Sequence, residues 1–186
     1  MSAAIHSISP FAMFFVLSLD KHLVVTPDYL GPNLYQHIVD VLMRTVEGSC
    51  SKRFGYIIKV LNMGDIGEGK VKDGGDVLFQ VSYRALVFMP YQKEVLDATI
   101  SEVTALGFFA NVGPLKLFVS SQSFSSDYAL HPDAKPRPYF VCSQDISQRL
   151  EIGRNVRLRL NNTQVEANDM YGVCTIADDY LGPLPA

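Results

Sequence analysis

GFFANVGPLKLFVS, residues 107 to 120, decides how the second half of the chain folds. Gly113-Pro114 divides it into two runs short enough to be the arms of a hairpin, and β-branched and aromatic residues fill both arms. Side chains alternate between the faces of a strand, so Phe108, Ala110 and Val112 share one face while Phe109 and Asn111 share the other. Beyond the turn Leu115, Leu117 and Val119 are uniformly apolar and belong to a core. Lys116, Phe118 and Ser120 are mixed and belong outside. Pairing the two apolar faces buries Phe108 and leaves Phe109 and Phe118 near one another on the outer surface, close to Lys116.

Working outward, EVLDATISEV (94–103) precedes this hairpin. A polar connection over 121–152 follows it, then VRLRLN (156–161) and MYGVCTI (170–176). Five strands with a long link between the third and fourth predict a small Greek-key barrel of the OB type. The connection, with Pro132, Pro136 and Pro138, is expected to pack across the barrel or to carry a short helix. In the fourth strand Val156, Leu158 and Leu160 point in, and Arg157 and Arg159 point out. Outward rings beside cationic side chains are the parts a barrel needs to hold single-stranded nucleic acid. Bases stack on the rings, at about 1 to 3 kcal/mol each, and phosphates meet the charges. Phe109, Phe118, Lys116, Arg157 and Arg159 are the candidates. Rings pressed against another domain or a partner protein would leave the same pattern.

The first half has another rhythm. Residues 1–12 are small and polar, the composition of a flexible extension. FFVLSL and HLVVT read as two β pieces split at Asp20-Lys21. Tyr29-Leu30-Gly31-Pro32 then stops the chain and starts a helix, with Pro32 at its first position. Leu34, Ile38, Val41, Leu42 and Thr45 recur at helical spacing, which predicts one amphipathic helix from Pro32 to Val46 ended by Gly48. FGYIIKVLN (54–62) and VLFQVSYRALVFMP (77–90) are strands around the glycine-rich MGDIGEGKVKDGGD (63–76). The expected architecture is an α+β domain over 13–90, one main helix on an antiparallel sheet, followed across Pro90 by an all-β OB-fold over 91–186.

Charge and motifs narrow the function. The 186 residues carry a formal charge of −3, the excess of acids lies wholly after residue 90, and no basic block exists. A protein that neutralises many duplex phosphates is more cationic than this, so any nucleic-acid contact is expected to be modest or helped by a partner. The three cysteines, odd in number and far apart, read as reduced thiols. The apolar run Phe11 to Leu19 lacks a positive flank and is too short for a membrane span, so neither a signal peptide nor a membrane partner is expected. Gly64 to Val71 nearly matches the phosphate loop G-x-x-x-x-G-K-[ST], but Val71 stands where the magnesium-binding hydroxyl belongs and a strand follows instead of a helix. His6, His22, His37 and His131 have no ligand spacing, and Asp178-Asp179 read as a solvated pair. No catalytic residues, cofactor or metal are expected.

Longer stretches carry a resemblance. MFF (13–15), PDYLGPNL (27–34), VEGSCSKRFGYIIKVL (46–61), VLFQVSYRALVFMPYQKEVLDATISEV (77–103), GFFANVGPLKLFVS and DDYLGPL (178–184) closely resemble the family of the seventh-largest subunit of eukaryotic RNA polymerase II, the larger half of the polymerase stalk. The likeness runs from about Met13 to the end and is interrupted chiefly over 121–152. It implies a tip domain followed by an OB-fold of the ribosomal-protein-S-one kind, with a non-catalytic role in transcription initiation in the nucleus. The tip would dock on the polymerase core, including its largest subunit, near the clamp. The matching segments are Pro27, Asp28, Tyr29, Leu30 and Gly31, and Asp65, Ile66, Gly67, Glu68, Gly69, Lys70 and Val71. The resemblance further implies a stalk heterodimer with the fourth-largest subunit, and contact with nascent single-stranded RNA through the OB domain. Phe109 matches that domain's second-strand ring, Phe118 stands where a histidine is usual, and Leu106 replaces an aromatic. A paralogous stalk subunit of another nuclear or archaeal polymerase and a free-standing OB-fold RNA-binding protein are the alternatives; the DDYLGPL and GFFANVGPL matches favour polymerase II.

Overall fold

The computed structural model describes residues 6–7, 13–124, 128–131, 138–143 and 148–185. The extension expected over 1–12 lies outside them apart from His6–Ser7, as do Pro132 and Pro136. The chain forms two compact units divided between Met89 and Pro90.

The first unit contains β1 (His6–Ser7), β2 (Phe14–Val25), α1 (Leu34–Val46), β3 (Cys50–Ser51), β4 (Gly55–Ile66), β5 (Lys70–Val71) and β6 (Val77–Phe88). They form one antiparallel sheet in the order β1-β2-β6-β4-β3, with β5 also paired to β6. The central strand alternates cleanly, burying Val77, Phe79, Val81, Tyr83, Ala85 and Val87. Helix α1 adds Ile38, Leu42 and Val46 to the same core. Each of the buried Val, Ile, Leu and Phe side chains contributes about 1.5 to 3 kcal/mol on burial.

Three expectations change here. No turn interrupts β2 at Asp20-Lys21: the strand is continuous and pairs residue by residue with β6 from Phe14↔Phe88 to Val25↔Val77. Asp20 is accommodated on the outer face, where the Ser82 hydroxyl donates to it across 2.8 Å. The helix begins at Leu34, not Pro32, because Leu34 N–H is bonded to the Gly31 carbonyl and Pro32 sits inside that turn. Thr45 is off the buried stripe; it is exposed and its hydroxyl donates back to the Val41 carbonyl, while Val46 packs inward.

The second unit contains β7 (Val95–Thr104), β8 (Gly107–Val112), β9 (Leu115–Ser120), β10 (Tyr128–His131), β11 (Tyr139–Cys142), β12 (Arg149–Leu150), β13 (Asn155–Glu166), β14 (Asp169–Thr175) and β15 (Gly182–Pro183). Antiparallel pairs β7–β8, β8–β9, β13–β14 and β7–β13, with the parallel pair β9–β14, close a five-stranded barrel. Phe108, Ala110, Leu115, Leu117, Val119, Val156, Leu158 and Leu160 are fully buried, as the alternation predicts. Gly107 lets β8 begin: at φ +147° a Cβ would run into the Val119 carbonyl oxygen.

The connection between β9 and β13 carries no α-helix among the described residues. It forms a small antiparallel sheet, β10-β11-β12, preceded by a 3-10 turn at Ser121–Ser123. Its anchor is aromatic. Phe124 meets buried Phe108 at 5.6 Å between ring centroids and buried Phe140 at 4.9 Å, nearly perpendicular.

Candidate nucleic-acid interface and docking loops

Strands β8, β9 and β14 lie side by side, and their register sets two rows on the outer wall. Phe109 pairs with Phe118, and Phe118 with Val173; Asn111 pairs with Lys116, and Lys116 with Tyr171. The Phe109 and Phe118 rings are 4.9 Å apart between centroids and tilted by 43°. Phe109 is 39% exposed and Phe118 half-buried, against a fully buried Phe108. Together with Lys116, Asn162, Gln164 and Tyr171 the two rings line a groove of about 250 Å³. Its floor includes Gly172, behind which Leu117 and Leu160 of the barrel core fill the space a side chain would take.

Tyr171, Asn162 and Gln164 were not among the sequence candidates. The signal for Tyr171 was present: burial of Met170, Gly172 and Cys174 in MYGVCTI puts Tyr171 and Val173 out. Asn162 and Gln164 had none, since a register shift between Leu160 and Asn162 breaks the alternation of β13.

Each candidate cation is held by a carboxylate. Lys116 Nζ lies 3.1 Å from Asp169, Arg157 binds Asp97 through two hydrogen bonds of 2.7 and 2.8 Å, and Arg159 lies 2.7 Å from Asp178. The hydrogen bonds from Arg157 hold the Asp97 carboxyl below the usual carboxylate range, and that from Lys116 does the same to Asp169. The same bonds raise Lys116 and Arg157 above their ordinary values. Asp178, expected to be solvated, thus holds Arg159. Phe109, Phe118 and Lys116 come together in one groove. Arg157 lines another, of about 440 Å³, with Tyr180, Gly182 and Leu184.

In the first unit the two segments singled out by resemblance lie on either side of β6, with Val71 and the Pro27–Tyr29 turn near its first residues. Pro27–Tyr29 is a 3-10 turn continuing from β2, with Tyr29 and Leu30 exposed; the Tyr29 ring stacks on His37 at 3.8 Å, almost parallel. Asp65 and Ile66 end β4, Gly67, Glu68 and Gly69 connect, and Lys70 and Val71 are β5. Val71 pairs with Val77 and Val77 with Val25, so both segments flank the same end of β6. The turn between β5 and β6 approaches the first segment, since a Cβ on Gly75 would touch Pro27 at 3.4 Å. Gly69 rests on the core: its Cβ would stand 2.7 Å from Val77 Cγ1 and 2.9 Å from Phe79 Cε1. Gly67 N–H donates to the Gln80 carbonyl across 2.7 Å. The phosphate-loop near-match therefore continues into a strand, with no helix N-terminus after it.

Among the described residues no group of three or more His, Cys, Asp or Glu is placed to hold a metal ion. Burial pushes the Cys174 thiol up to about 12, so it is an inert core group. No described helix is long and apolar enough to cross a membrane.

With this geometry in view, two family models match the chain. An SHS2 domain found in the N terminus of Rpb7p/Rpc25p/MJ0397 matches residues 21–76, and an S1 RNA binding domain matches residues 90–171. The chain is 41% identical over 171 residues to DNA-directed RNA polymerase II subunit rpb7 of Dictyostelium discoideum, covering 91% of this chain and 98% of the relative. It is 40% identical to the subunit of the same name from Schizosaccharomyces pombe, covering 92% and 99%. The Saccharomyces cerevisiae subunit RPB7 is 32% identical, covering 92% and 100%.

Proposed function

The chain belongs to the Rpb7 family of RNA polymerase II subunits and carries an S1 RNA-binding domain, and from this we propose that it is a non-catalytic stalk subunit that holds nascent single-stranded RNA against the Phe109–Phe118 face. The observation that carries this reading is the tilted, solvent-facing ring pair 4.9 Å apart, lying inside the S1 match and beside Lys116. Two rings on an outer wall, over a core that closes without them, offer stacking surface independent of base identity.

The first unit supplies attachment. Tyr29 and Leu30, in and just after the 3-10 turn, and Val71, on β5, present exposed apolar surface near the start of β6, the arrangement a docking wedge requires. The wedge enters the polymerase core near the clamp, including its largest subunit, and the fourth-largest subunit completes the stalk. The work is done in the nucleus during initiation, and it consists of positioning: the RNA is held near its exit by an anchored protein.

The test is a fluorescence-anisotropy titration of short single-stranded RNA against the full chain purified with the fourth-largest subunit. Phe109→Ala with Phe118→Ala is expected to weaken binding by about 1 to 3 kcal/mol per stacked base lost. The ring contact adds about 0.5 to 1.5 kcal/mol beyond the rings' own partial burial, and the fully buried Phe108, Leu115, Leu117 and Val119 of the same hairpin are untouched, so the barrel is expected to stay folded at a lower melting temperature. Unchanged affinity refutes the assignment of the site; loss of the barrel's cooperative unfolding refutes the assignment of these rings to its outer wall.

A further inference from the structure

The anion position of the ring groove is filled from within the chain. Lys116 and Tyr171 are register partners on β9 and β14, and both converge on a single oxygen. Lys116 Nζ lies 3.1 Å from Asp169 Oδ2, and the Tyr171 hydroxyl donates to that same oxygen across 3.2 Å. The ammonium also stands 5.5 Å from the centre of the Tyr171 ring. Asp169 begins β14, two residues ahead of Tyr171 and on the same face of the strand, so the carboxylate reaches the pair with its backbone already fixed. Lys116 is two residues from Phe118 along β9, about 6.6 Å at strand spacing, within reach of the phosphate of a nucleotide whose base lies on that ring.

A phosphodiester oxygen is, like the Asp169 oxygen, an anionic acceptor suited to an ammonium and a hydroxyl donor. The contact is exchangeable: the side chains of Lys116 and Asp169 are 52% and 53% exposed, where ion pairs are weak and screened by salt.

We propose that Lys116 Nζ and the Tyr171 hydroxyl form the phosphate subsite of the ring groove, and that Asp169 is an internal surrogate for the phosphate which a single-stranded RNA must displace. This rests on the reading of the groove as the RNA site. Binding then exchanges one anion for another at Lys116, and the charge gained by the complex is smaller than the count of cations on the face. Stacking carries the affinity, and the phosphate contact is gained only after Asp169 has let go.

The experiment uses the full chain purified with the fourth-largest subunit and a short fluorescein-labelled oligouridylate, titrated from low to physiological salt. Asp169→Asn and Asp169→Ala are each expected to tighten binding about two- to fivefold at low salt, the value of an exposed ion pair. The salt dependence should steepen by up to about 0.7 in log–log slope, because no freed carboxylate remains beside the phosphate that Lys116 neutralises. Lys116→Met in the Asp169→Asn background should erase both gains. Asp40→Asn, which makes the same change in net charge on α1, should produce neither. The proposal is overturned if removing Asp169 leaves affinity unchanged or lower in a protein whose binding falls on Phe109→Ala with Phe118→Ala. It is equally overturned if the gain survives loss of Lys116, which would make it a general charge effect. If the ring substitutions leave binding intact, the groove is not the RNA site and this proposal falls with it.

Discussion

Gly172→Ala probes the layer directly under the groove. Gly172 lies on β14 between exposed Tyr171 and Val173, and its φ is not in the left-handed region, so the backbone itself tolerates a side chain. The core does not. A Cβ there would stand 2.6 Å from Leu117 Cδ2 and 2.9 Å from Leu160 Cδ1. Both leucines are fully buried, so neither methyl can swing into solvent. Overpacking of this kind costs about 1 to 3 kcal/mol, and the stiffer unfolded chain offsets about 0.4 to 1 of it. The net loss centres near about 1.3 kcal/mol and reaches about 2.6, and each kcal/mol lowers the melting of a unit this size by about 4 to 8 °C. Hydrogen exchange resolved by peptide separates the two units: β9, β13 and β14 should lose protection while β2 and β6 keep theirs. Leu117→Val shortens the clashing arm, so the double variant should be more stable than the sum of the single losses by about 0.5 kcal/mol or more. RNA affinity should fall with Gly172→Ala and recover in the double variant, because the displaced strand carries Tyr171. Strictly additive stabilities, or a Gly172→Ala protein with wild-type protection in β14, would refute this account of the groove floor.

The remaining predictions concern docking and acid. Val71→Glu with Leu30→Glu charges the proposed wedge at two exposed positions, so the stability of the first unit should change by no more than about 0.5 kcal/mol per site. Co-purification with core polymerase should drop while the fourth-largest subunit is still captured; undiminished recovery of the core would remove these loops from the docking surface. Asp97, whose folded value is depressed first of all by the hydrogen bonds from Arg157, contributes stability that is complete above its unfolded value near 3.8 and is lost as pH falls through the lower folded value. Wild type should therefore exceed Asp97→Asn in urea denaturation at neutral pH, the difference shrinking only below about pH 4. A difference that is constant down to the acid end would show that the pair adds nothing to the barrel.

What could be read in advance followed from local periodicity. The β8–β9 hairpin carries a strict two-residue alternation around Gly113-Pro114, and one register satisfies both arms, so Phe108 inside and Phe109 outside were legible from a dozen residues. β2 was not, because Asp20-Lys21 resembles a turn locally while the long ladder with β6 holds the strand straight. The β10-β11-β12 sheet was hidden for a similar reason: its anchor is Phe124 between Phe108 and Phe140, contacts that no window of sequence contains. The site divides along the same line. Its rings are fixed by alternation within β8 and β9, but Asp169 lies 53 positions from Lys116 and Asp97 lies 60 from Arg157. Those partners are chosen by the closure of the barrel, so the cations could be named and their neutralisation could not.

That neutralisation reconciles the acidic composition with the RNA-facing role proposed for the barrel. A free protein that must find RNA in solution gains from a strong positive field, which raises both encounter rate and affinity. A subunit anchored beside an exit channel meets the strand at high effective concentration and gains nothing from searching. For such a subunit a strong field is harmful, since any nucleic acid passing the surface would be held. Pairing Lys116, Arg157 and Arg159 with Asp169, Asp97 and Asp178 removes the long-range attraction and leaves the short-range stacking of Phe109 and Phe118 intact. Specificity for single strands then follows from stacking alone, because a duplex keeps its base faces covered. On the proposed reading the carboxylates on this face act as part of the binding device, restricting it to strands that are unpaired and already delivered to the groove.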